Sequence, residues 1–111
     1  MYIVYGQVEI FLPACSSLKE KRATLQSIIA RIRKRFNISV CEADYHDLWQ
    51  RSIIGFSAVC SHYSETDLII DIVQDTVYQH DDVCELISFD HQLFQFQLGD
   101  KHILDFNNPF Q

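Results

Sequence analysis

The chain has 111 residues, 48% hydrophobic and 22% charged, with three Gly and two Pro. That balance fits one globular domain and excludes a disordered or low-complexity chain. A formal charge of −6 excludes a generally basic nucleic-acid-binding domain, and no run approaches the ~20 apolar residues that a bilayer crossing needs.

The charge is unevenly spread. Residues 18–36 carry seven basic residues and one acid, a balance of +6, whereas the rest carries two basic residues against fourteen acids, a balance of −12. The molecule is thus a strong dipole with one basic segment. The opening run MYIVYGQVEI has no basic n-region and reads at once as a strand, so no signal peptide is expected. Cys15, Cys41, Cys60 and Cys84 form no CxxC, and reduced thiols in a cytoplasmic protein are the expectation.

Residues 2–12 alternate, with Tyr2, Val4, Val8, Ile10 and Leu12 on one side and Ile3, Tyr5, Gln7, Glu9 and Phe11 on the other, the period of a strand. Pro13 closes it. From Ser17 to about Phe36 the period becomes helical, with Leu18, Leu25, Ile28, Ile29, Ile32 and Phe36 in one stripe. Ser17 and Glu20 have the S-x-x-E spacing of a capping box, and Asn37 is the expected left-handed C-cap. ISVCEADY (38–45) and SIIGFSAVCSH (52–62) read as two strands joined by HDLWQR. Ser64 and Asp67 open a second helix with the stripe Ile69, Ile72, Val73, Thr76 and Val77, and residues 83–98 form a long strand with room for a bulge. The order β-α-β-β-α-β predicts an α+β, ferredoxin-like sandwich: a four-stranded antiparallel sheet with two helices on one face. Residues 1–97 are the expected domain; 98–111 are a C-terminal extension in which Gly99-Asp100 turns a hairpin into an added strand or arm, KHILDF (101–106).

Three runs in order, SLKEKR, RFNISVCEAD and DLWQRSIIGFSAV, resemble the YlxP-like family of small bacterial domains of unknown function. The resemblance covers roughly residues 1–97. It implies a ferredoxin-like fold and action on RNA or the ribosome, and it carries over no catalytic residues.

The basic helix is the first candidate site. Cations in a first turn oppose the helix macrodipole, so Lys19, Lys21 and Arg22 at a helix start point to an external anion such as phosphate. Arg31, Arg33, Lys34 and Arg35 extend the basic surface. The competing reading is a solvated amphipathic helix whose arginine stems cover the core. In the connection 46–51, Trp49 offers a stacking surface, Gln50 an edge contact and Arg51 a phosphate contact; alternatively Trp49 is a lid on the sheet end, with Arg51 paired to Asp44 or Asp47. The sheet face away from the helices is expected to expose Tyr5, Phe11, Ile53 and Phe94. Its third strand lacks aromatics, so base stacking there is not expected, and a cover is. A homodimer through that face and the arm, with Ile103 and Phe106 contributing, is the expectation.

Enzymatic readings find little support. The first loop, PACSS, is neither a glycine-rich phosphate loop nor a CxxC metal loop, and the five His have neither i, i+4 nor H-x-H spacing. No catalytic residue, metal or cofactor is expected. The reading is a non-enzymatic binding module for structured RNA or the ribosome, the alternative a self-associating protein-interaction domain, and neither involves a membrane.

Overall fold

The computed structural model describes residues 1–35 and 37–97. The elements are β1 (Tyr2–Phe11), α1 (Leu18–Arg35), β2 (Ser39–Asp44), β3 (Arg51–Cys60), α2 (Tyr63–Tyr78) and β4 (Glu85–Gln95). The strands form one sheet in the order β2-β3-β1-β4, and every neighbouring pair is antiparallel. This is the expected ferredoxin-like sandwich.

Alternation in the sequence becomes burial in the sheet. Val4, Val8, Ile10, Ile54, Phe56, Ala58 and Cys60 point to the helices and are buried, as do Leu25, Ile28 and Ile32 of α1 and Ile69, Ile72, Val73 and Val77 of α2. Thr66 and Thr76 enter the same core because their hydroxyls donate to the carbonyls of Tyr63 and Ile72, both at 2.7 Å. The long last strand is bulged: the register slips between Glu9 and Ile10 of β1, leaving Ile87 as the extra residue of β4.

The helix starts differ in detail from expectation. Ser17 Oγ accepts the Glu20 N–H at 3.1 Å, but the Glu20 carboxylate returns to Ser16, accepting its N–H at 2.7 Å and its hydroxyl at 2.9 Å. The second helix begins earlier than Ser64-x-x-Asp67 implies, because Glu65 is the capping carboxylate: it accepts the His62 N–H at 3.2 Å and the Ser61 hydroxyl at 3.3 Å. The expected C-cap at Asn37 turns on Phe36, which lies outside the described residues; among the described residues the positive-φ non-glycine is Tyr45, at 64°. The expected hairpin and strand at 99–106 lie outside the described residues, as do Ile103 and Phe106.

Register also resolves the sheet face that no described helix covers into rows that cross the strands. Val59, Ile3 and Phe94 make an apolar row at one end. Next come Ser39, Ser57, Tyr5 and Gln92, then Cys41, Gly55, Gln7 and Asp90, two small and polar rows that form a shallow groove of about 690 Å³. Tyr5 donates its hydroxyl to Gln92 at 2.8 Å. Tyr5, Phe11, Ile53 and Phe94 all lie on this face as expected, Tyr5 and Phe94 exposed and Phe11 and Ile53 half-buried. The apolar surface is therefore interrupted by a polar centre.

Candidate functional site

Lys21 sits where the helical stripe requires an apolar residue, four before Leu25 and seven before Ile28, and it is 0% exposed. Its ammonium lies 2.9 Å from Glu42 and donates to the Tyr45 carbonyl at 2.5 Å. Ser52 donates its hydroxyl to the same Glu42 oxygen at 2.6 Å. Each partner occupies an inward position of its strand: Glu42 follows Val40 by two, and Ser52 precedes Ile54 by two. This corrects the reading of Lys21 as a phosphate contact. Part of the positive charge at the helix start is an internal partner for a carboxylate, and no solvent anion reaches it.

The same lysine fixes the connection between β2 and β3. The Tyr45 carbonyl also closes a turn by accepting the Leu48 N–H at 3.1 Å, and the Tyr45 N–H donates to Asp44 Oδ1 at 2.7 Å. A left-handed tyrosine costs on the order of 1–3 kcal/mol, and these bonds hold it there. Arg51 pairs with Glu9 across the sheet and lies over the Tyr45 ring, 5.1 Å from its centroid. Its partner is thus neither Asp44 nor Asp47, and the carboxylate holds the guanidinium pKa above its ordinary value. Arg51 is engaged within the protein and is not a free phosphate contact. Gln50 is likewise corrected: its side-chain amide donates to the carbonyls of Pro13 at 3.1 Å and Cys15 at 3.4 Å, while its backbone carbonyl accepts the Leu12 N–H at 2.7 Å. These bonds tie the loop to the segment leading into α1.

Beside the polar His46, Asp47 and Gln50, the loop presents apolar surface outward. Trp49 is 54% exposed and Leu48 is exposed beside it, so Trp49 is not a closed lid. With Phe11, Asp47, Gln50 and Arg51 they line a shallow depression.

The remaining cations of α1 divide by what they touch. Arg33 donates to the Val40 carbonyl at 2.9 Å, pinning the helix to β2, so it serves the fold. Lys19, Arg22, Arg31, Lys34 and Arg35 are exposed, and among the described residues none forms an ion pair. Lys34 and Arg35 lie in the last turn, where cations complement the dipole. Lys19 and Arg22 lie at the unfavourable end, although Glu20 there already occupies the anion position on Ser16. Its pKa is lowered by the backbone and then the side-chain bond from Ser16. Among the described residues no three His, Cys, Asp or Glu side chains converge as metal ligands, and no helix is long and apolar enough to cross a membrane.

Comparison with solved structures shows the fold. The chain resembles the de novo designed protein LFR1 1 with ferredoxin fold, at a TM-score of 0.52 and 10% identity over 90% of both chains. It resembles the de novo designed protein Foldit4 at 0.52 and 8%, over 87% of this chain and 100% of that one. SnoaB, a cofactor-independent oxygenase from Streptomyces nogalater, matches at 0.50 and 6%, over 89% and 96%. A sequence relative is the uncharacterized protein YlxP of Bacillus subtilis (strain 168), 40% identical over 65 residues, which span 59% of this chain and 71% of the relative. Residues 3–91 match the family model described as protein of unknown function, DUF503, and the chain belongs to that family.

Proposed function

We propose that the protein is a non-enzymatic, cytoplasmic binding module that contacts the phosphate backbone of structured RNA, on the ribosome or elsewhere, through the outer surface of α1. The observation that carries this reading is charge segregation: Lys19, Arg22, Arg31, Lys34 and Arg35 project from one helix without acidic partners among the described residues, on a chain whose remainder is strongly acidic. Such a field orients the molecule toward a polyanion with one face only. Trp49, on a loop tied to the approach to the same helix, supplies a stacking surface beside it. Phosphate contacts of this kind position a protein and read no sequence. The test is sedimentation of cell lysate through sucrose at low and high salt. Comigration with ribosomal particles that high salt strips away supports ribosome contact; migration at the top of both gradients counts against it.

A second reading rests on the apolar row Val59, Ile3 and Phe94. Val59 is 68% exposed and Phe94 53%, which fits a protein-interaction domain that self-associates through its uncovered sheet face.

A further inference from the structure

The two outer strands of the sheet are unequal. β2 has six residues and a register irregularity between Glu42 and Asp44, both devices that blunt an edge. β4 has eleven residues, and its bulge at Ile87 leaves Ser88–Gln95 as an uninterrupted ladder against β1. That stretch has no Lys and no Pro, and Asp90 is its one carboxylate. Among the described residues, side chains on both sides of the sheet are exposed along it, with Phe89 half-buried. Phe94 is exposed on the open face, and Leu93, paired with Val4 and so pointing to the helix-covered side, is still 43% exposed. A long edge whose outward backbone N–H and C=O groups meet no other strand among the described residues is a template for another strand.

We propose that the occupant is β4 of a second copy, joined antiparallel about a two-fold axis through His91, so that two sheets become one of eight strands. Identical strands paired this way close as a dimer and leave no repeating edge on that side. Antiparallel pairing keeps each face continuous, so only residues of the same face stand opposite one another. Centring on His91 uses the whole ladder from Ser88 to Phe94 and stops at the bulge. It sets Phe89, which already packs on the core and on the Phe56 ring with centroids 5.8 Å apart, against Leu93 of the other copy. On the open face it sets Asp90 against Gln92. The Gln92 carbonyl is taken by Tyr5, which leaves its NH2 to donate, and Asp90 has no partner among the described residues. Each match occurs twice. Centring on Asp90 would instead oppose two carboxylates, which is destabilising. This surface is distinct from both α1 and the open face, and the inference does not rest on the RNA reading.

Sedimentation velocity on the full chain tests it. The wild type is expected at twice the 13.0 kDa chain mass, Leu93→Lys at the single mass with an unchanged far-UV spectrum, and the open-face control Val59→Lys still at twice the mass. A monomeric wild type overturns the proposal, and so does a dimer that Val59→Lys dissociates and Leu93→Lys does not. Should Leu93→Lys fail to fold, the register supplies a second measurement. In a Cys41→Ser background, His91→Cys should form an intermolecular disulfide on mild oxidation, because residues facing each other across antiparallel strands have Cα atoms ~4.5–5.5 Å apart. Val59→Cys should form none. Absence of the His91→Cys cross-link overturns the register and with it the proposal.

Discussion

Lys21 and Glu42 form an ion pair of 2.9 Å between the first helix and an edge strand, with the lysine wholly buried. It answers the electrostatic oddity of the segment SLKEKR. One of its three cations is matched from inside, and the bond it also makes to Tyr45 turns the pair into a clamp on the loop that carries Trp49.

Removing one member of a buried pair leaves the other charge without compensation. Lys21→Ala should cost about 3–5 kcal/mol, and replacing both residues with apolar ones of similar volume should cost much less. Urea unfolding midpoints of the two variants check this. Equal losses in both would mean that packing, and not the charge pair, holds the loop.

A Cβ at Gly6 would lie 2.3 Å from the Asp90 carbonyl oxygen and 2.9 Å from the His91 Cα, both backbone atoms of β4. At Gly55 it would meet the Ala43 Cβ at 3.2 Å, a contact with an edge strand that can give slightly. Gly6→Ala should therefore destabilise by at least about 1–3 kcal/mol and Gly55→Ala by clearly less. Thermal melts of the two variants rank them directly.

The thiols should react in an order set by burial. All four are free, and Cys41 alone among them is exposed. Burial, then the charges of Asp82 and Asp81, pushes the Cys84 thiol up to about 11, and burial followed by Glu65 raises Cys60. Because the thiolate is the nucleophile, iodoacetamide near neutral pH should label Cys41 first, with Cys60 and Cys84 modified only on unfolding. Mass spectrometry of a time course reads the order, and early labelling of Cys84 would contradict it.

Glu20 predicts a feature of acid unfolding. Its carboxyl is more acidic folded than unfolded because Ser16 donates to the carboxylate twice. Such a group contributes stability above its ordinary value of 4.5, and that contribution is lost as the pH falls through the lower folded value. Glu20→Gln should lose less stability than wild type on acidification below about pH 4.5. Chemical denaturation at several acidic pH values compares the slopes.

Periodicity makes the architecture readable in the sequence itself. The alternation of residues 2–12 placed Val4, Val8 and Ile10 inward, and the stripe from Ile69 to Val77 placed α2 on the sheet. Lys21 escaped because a lysine within a basic run reads as surface, even though Leu25, Ile28 and Ile32 continue its helical face. Glu42 and Ser52 sit in phase with buried strand positions, and three polar residues in core phase on three neighbouring elements were the available signal. The partners of Gln50 and Arg51 are 35 to 42 residues away in sequence, and such long-range bonds leave no local pattern. Arg33 shows the same limit, since nothing in the run RIRKR separates an arginine that bonds a strand carbonyl from two that face water.

The central functional claim is that the exposed cations of α1 meet phosphate. Fluorescence anisotropy with a labelled RNA hairpin across a salt series measures it most directly, using wild type and the variant Lys19→Glu/Arg22→Glu/Arg31→Glu, which leaves Lys21 and Arg33 in place. Each lost phosphate contact should lower the slope of log affinity against log salt by roughly 0.7–0.9, so the variant should bind more weakly and respond less to salt. Wild-type affinity that is undetectable at low salt, or a variant with the same affinity and slope, would contradict the claim.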